Sequence, residues 1–171
     1  YVRILGSWAP EEDLVKLVDR SGEWSAAIGK ALVAFGAIEH VTVACLRHLP
    51  RDKLLKSTKS FRLAQRIDLL LELLEVYPTE PYRQLASLLA RARVLAETRN
   101  LIAHNPLVLD IYERPDGTIF HEQVIAAMHK DRKVTLAELR EFAKESEDLA
   151  SSLYGASSEV FRVHGPQSGL N

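Results

Sequence analysis

At 171 residues, with 47% hydrophobic and 26% charged side chains, the chain has the size and composition of one folded domain and lies far from disordered sequences. A formal net charge of −1 argues against a general polyanion binder, and the single cysteine, Cys45, excludes an internal disulfide and a thiol cluster for zinc or iron. No apolar run approaches the length of a bilayer, and the first residues show no basic stretch leading into an apolar one, so the expected location is the cytoplasm.

In chain order, Pro10 followed by Glu11, Glu12 and Asp13 suggests a short helix running to about Asp19. Ser21 can cap a new helix. From there Trp24, Ile28, Ala31, Phe35, Ile38, Thr42, Cys45 and Leu49 recur at steps of three and four, the spacing of one helical face. Leu32, Gly36, Glu39, Val43 and Leu46 form an adjacent stripe, which places the Glu39 carboxylate within the buried face. Pro50 ends this element.

Ser57 or Ser60 can cap a second helix with Leu63, Ile67, Leu70, Leu74 and Tyr77 on one face, widened by Phe61, Leu69 and Leu73. Pro78 stops it, and Thr79 caps a third helix with Pro81 in its first turn. On that helix Leu85, Leu88, Ala92, Leu95, Arg99 and Ile102 share the helical spacing, so a guanidinium stands on the apolar stripe. Asn105-Pro106 terminates it and leaves His104 in its last turn. Residues 107–112 and 119–124 favour strand, and Arg114-Pro115-Asp116-Gly117 between them is a turn signal, together a β-hairpin. Thr135-Leu136-Ala137-Glu138 is a capping box opening a fourth long helix with Leu136, Leu139, Phe142, Ala143, Leu149 and Leu153 as its apolar set.

The expected fold is therefore all-α: an up-and-down four-helix bundle with an extra short N-terminal helix and a small hairpin after the third long helix. Residues 1–20 are assigned to an N-terminal extension, 21–161 to the helical domain and 162–171 to a flexible tail.

Common active-site patterns are missing. There is no phosphate-binding glycine loop, no paired CxxC and no G-x-S-x-G elbow. His121-Glu122 starts like a zinc helix, but Ile125 stands where the second histidine belongs, and His40, His48, His129 and His164 fall at no ligand spacing, so neither a metal nor a cofactor is expected. Charge is unevenly spread: residues 47–99 hold 11 Lys/Arg against 6 Asp/Glu, while the segments on either side are acidic. The densest stretch, 47–66, carries Lys59, Arg62 and Arg66, which are candidate substrate-binding cations, although such runs are usually solvated surface.

What remains is Arg99-Asn100-Leu101-Ile102-Ala103-His104. An arginine on a buried stripe calls for an anionic partner, because an unpaired charge there costs on the order of several kcal/mol. Histidine is the side chain that exchanges protons near neutral pH. Five residues of regular helix set the two side chains about 140 degrees apart. They converge only if Pro106 swings His104 round or if a second subunit on a two-fold axis supplies their counterparts. Glu39 is expected to contact Arg99 or Arg62, and a purely structural use of that pair is an alternative.

This segment resembles the motif of the HEPN superfamily of all-helical domains: an Arg, four to six intervening residues, then a His, with a polar residue commonly following the Arg. The resemblance spans roughly residues 22–154 and takes in Phe35-Gly36-Ala37-Ile38-Glu39, the stretch Phe61 to Ile67, and the hairpin after His104. It implies a metal-independent endoribonuclease of the toxin or phage-defence type, cleaving single-stranded RNA as a homodimer, with Arg99, Asn100 and His104 catalytic. Other branches of the superfamily act as non-catalytic regulators or bind an antitoxin or other protein partner, and the mannitol operon repressor family shows a comparable stretch. A further branch carries a modifiable tyrosine two residues after the histidine; here Pro106 occupies that place, so that mode is not expected.

Overall fold

Four helices and a small antiparallel sheet make up most of the described part of the computed structural model, which covers residues 19, 21–49, 58, 60–113, 115–127 and 132–164. The elements are α1 (Glu23–His48), α2 (Leu63–Glu75), α3 (Glu80–His104), β1 (Leu107–Glu113), β2 (Ile119–Ala126), β3 (Lys133–Val134) and α4 (Leu136–His164). The short helix expected before Asp19 lies outside the described residues, as do Pro50 and Ser57.

Helix α1 starts from a cap supplied by a residue outside it. Gly22, at φ 71°, is the N-cap residue, and the Asp19 carboxylate accepts the free backbone N–H groups of Trp24 at 3.2 Å and Ser25 at 3.0 Å. Ser21, the expected cap, accepts only a long 3.4 Å bond from the N–H of Glu23. The Ser25 hydroxyl bonded to Asp19, with the backbone N–H groups of Ser25, Trp24 and Gly22 adding to it, holds the carboxyl below its ordinary range despite an opposing effect of burial. Its stabilisation is thus complete above the unfolded carboxylate range and is lost as pH falls through the lowered value. Asp19→Ala is expected to cost about 0.5–2 kcal/mol at neutral pH. The gap from wild type should close on acidification; denaturant unfolding that shows a gap independent of pH would contradict this role.

The core is lined by Phe35 and Ile38 from α1, Ile67 and Leu70 from α2, Leu85 and Leu89 from α3, and Leu139, Leu149 and Leu153 from α4, all fully buried. Burying each side chain of this kind contributes about 1.5–3 kcal/mol. Phe35 and Phe142 stack at 5.9 Å between ring centroids and join α1 to α4. Helix α1 meets the length and composition of a membrane span, with an 18-residue window of mean hydropathy 1.4. The expectation that no run reached such a length is corrected here; in this fold its apolar side packs into the core. One polar atom among these side chains, the Ser146 hydroxyl, is buried with no partner.

Helices α1 and α4 run parallel. Glu23 pairs with Arg140 at 3.1 Å, Lys30 with Glu147 at 3.4 Å, and His48 stacks on Phe161 at 4.5 Å, so the partners advance together along both chains. A strict up-and-down order sets the first and last helices antiparallel, and the expectation fails on this point. The links from His48 to Leu63 and from His104 to Leu136 are both longer than a tight turn, so neither forces its helices into an antiparallel order.

The sheet order is β1-β2-β3, with Leu107 opposite Ile125 and Glu113 opposite Ile119. Gly117 turns the hairpin at φ 81°, and Asp116 accepts the N–H of Thr118 at 2.9 Å. Strand β3, not anticipated from sequence, pairs Val134 with Ile125 and leads into α4. The capping box there is complete: the Thr135 hydroxyl accepts from the N–H of Glu138 at 3.2 Å, and the Glu138 carboxylate accepts from the N–H of Thr135 at 2.8 Å. Helix α4 continues through Arg162 to His164, beyond the expected start of the tail.

Candidate functional site

The end of α3 is shaped by two faces with different tasks. Tyr82, Leu85, Leu89, Ala92 and Ala96 are buried, and Arg99, three residues past Ala96, continues that line at the margin of the core, while Leu101 and Ile102 stay buried on an adjacent line. Leu88 and Leu95, expected on the stripe, are only half-buried beside it. A second, polar stripe of Arg93, Glu97, Asn100 and His104 runs at steps of four and three along the neighbouring face.

These two faces border one cleft of about 760 Å³. Arg93, Ala96, Glu97, Arg99, Asn100 and His104 form its α3 wall, and Glu39 contributes from α1. Arg62, Leu63, Ala64 and Arg66, from the start of α2, form the opposite side. The helix stays regular through His104 and breaks only at Asn105, at φ −122° and ψ 150°. Pro106 therefore does not swing His104 toward Arg99. The two share the cleft because it is broad enough to wrap the helix edge, with Ala96 and Asn100 between them. Asn105 closes the helix by donating from Nδ2 to the carbonyl of Leu101 at 2.9 Å.

Glu39 meets Arg99 with Oε1 3.2 Å from Nη2, and each side chain is 30% exposed. Both were expected within the buried face, and both stand at its margin. The reason lies in α1, whose buried face widens through Ala27, Ala34 and Val41, so that Leu32, Glu39 and Val43 are half-buried and Gly36 is exposed. Arg99 Nη1 also donates to Asn100 Oδ1 at 3.4 Å. Exposed pairs of this sort contribute about 0–1 kcal/mol, and solvent screening keeps this one near that range.

Four guanidinium groups and two carboxylates line the cleft. Arg99 is held by Glu39, Arg93 by Asp68 at 3.3 Å, and Glu97 by Arg132 at 3.2 Å. Among the described residues, Arg62 and Arg66 have no carboxylate partner. The Nε of Arg66 is shut off from water with no acceptor. Helix α2 begins after Arg62, whose N–H donates to Gln65 Oε1 at 2.9 Å, so Ser60 does not cap it and Phe61 precedes it. Its first residues, Leu63 and Ala64, line the cleft.

No family model, curated protein or solved structure matches this chain.

Of the site residues expected from sequence, Arg99, Asn100, His104, Arg62, Arg66 and Glu39 line this cleft, while Lys59 lies outside the described residues. The residues that sequence reasoning missed are Arg93 and Glu97. The signal for them was present: their spacing to Asn100 and His104 is a polar stripe running into the motif. His40 and His121 are exposed elsewhere, and His129 is outside the described residues. Burial pushes the Cys45 thiol up to about 12, so it stays protonated and is no nucleophile at neutral pH.

Proposed function

We propose that the chain is a HEPN-like endoribonuclease of the toxin or phage-defence type, acting without a metal on single-stranded RNA. The observation that supports this reading is the sharing of one basic cleft by Arg99, Asn100 and His104. Cleavage by transfer of the RNA 2′-oxygen onto phosphorus needs a base for the hydroxyl proton, positive charge on the phosphorane, and an acid for the leaving 5′-oxygen. His104 exchanges the protons, Arg99 meets the phosphorane oxygens, and Asn100 orients the phosphate through its amide. One His104 cannot be base and acid in the same instant, so the reading includes a homodimer in which two copies of the cleft face each other. On this reading the four helices form one bundle, with the hairpin as an appendage.

The test is a uridine-rich single-stranded RNA incubated with the full chain in EDTA. Products ending in a 2′,3′-cyclic phosphate, and protection of the same RNA by 2′-O-methylation, are the expected results. An RNA left intact overturns the reading.

The Glu39–Arg99 pair favours a second reading, a non-catalytic regulatory or protein-binding module, because the chain's own carboxylate already answers the Arg99 charge. That reading expects RNA or a co-encoded protein to be bound and not cut.

A further inference from the structure

The guanidinium groups of the cleft are not equivalent. On α3 both arginines are answered by carboxylates, Arg99 by Glu39 and Arg93 by Asp68. On the facing wall, Arg62 and Arg66 have no carboxylate among the described residues. Arg66 is the more telling of the two. Its side chain is half-buried, with the Nε closed off from solvent, and it lines the cleft as a guanidinium that no carboxylate answers among the described residues.

The geometry points to a phosphate subsite on this wall, separate from the position between Arg99 and His104 where bond breaking is proposed. Arg62 and Arg66 flank the first turn of α2, and Leu63 and Ala64, whose backbone N–H groups have no partner within the helix, line the same cleft. A tetrahedral phosphate accepts from a planar guanidinium and from backbone N–H groups at once, which a carboxylate does less completely. The ligand class is a phosphate group, carried either by a nucleic acid backbone or by a small phosphate compound. Within the ribonuclease reading, on which its RNA form rests, the subsite holds a phosphate neighbouring the scissile one. It thereby fixes the register in which RNA crosses the cleft.

The test measures binding of two probes to the full chain, a 2′-O-methyl oligouridine that cannot be cut and inorganic phosphate. Arg62→Gln and Arg66→Gln are each expected to weaken oligonucleotide binding by about ten- to a hundredfold. Each is also expected to reduce the slope of log affinity against log salt by about 0.7. Arg66→Lys keeps the charge without the planar guanidinium and should fall between wild type and Arg66→Gln. Arg62 is exposed, so its variant carries the test should Arg66→Gln fail to fold. Affinity and slope unchanged in Arg62→Gln, together with affinity unchanged in Arg66→Lys, overturn the subsite, even where the wild type cuts RNA. A wild type that cuts nothing, yet binds inorganic phosphate in a manner dependent on Arg62 and Arg66, supports the subsite and overturns the ribonuclease reading.

Discussion

His104→Ala is expected to lower RNA cleavage by about 10² to 10⁴, the worth of one positioned acid or base. Stability should scarcely change, because the His104 side chain is exposed at the end of α3 and Asn105, not His104, closes the helix by capping Leu101. Exposed substitutions of this type stay within about 0.5 kcal/mol. Rate measured under single-turnover conditions, with the melting temperature in parallel, separates the two effects. A variant that cuts as fast as wild type removes His104 from the chemistry.

Arg99→Ala is expected to reduce cleavage by about 10² to 10³, as loss of a preorganised charge at a developing oxyanion does elsewhere. The melting temperature again discriminates. If Arg99 served only to neutralise Glu39 inside the core, its removal would strand a buried charge and cost on the order of 3–5 kcal/mol. Both side chains are 30% exposed, so the expected loss is about 0–1 kcal/mol. Glu39→Gln separates these roles from the other side: it removes the carboxylate that competes with phosphate for Arg99 and is expected to tighten RNA binding. A large stability loss in Arg99→Ala, together with unaltered RNA binding in Glu39→Gln, would assign the pair to structure alone.

The periodic elements were legible because burial enforces their spacing. Trp24, Phe35 and Ile38 on α1, Ile67, Leu70 and Leu74 on α2, and the Thr135 capping box of α4 stand where pattern and local chemistry put them. Direction was not legible: apolar spacing says which face is buried but not which way a neighbour runs, and the parallel α1 and α4 depend on a connection whose path spacing does not encode. The Asp19 cap was missed because its carboxylate reaches N–H groups five and six residues ahead, beyond the usual capping interval. At the cleft, the motif could be read from Arg99 to His104, whereas the pairing of Glu39 with Arg99 rather than Arg62 is a tertiary fact. The depth of Glu39 was misjudged because alanines are small enough to pass unnoticed as core. Ala27, Ala34 and Val41 carry the buried face away from it.

Ribonuclease chemistry at this cleft requires Arg99 and His104 to hold one anion together. The most direct measurement is a titration of the isotopically labelled chain with a 2′-O-methyl oligouridine, following the Arg99 side-chain Nε–H and the His104 ring resonances by NMR. Both sets are expected to move along the same binding curve, with one dissociation constant. If only one set moves, or if the two follow different curves, the two side chains do not share a ligand.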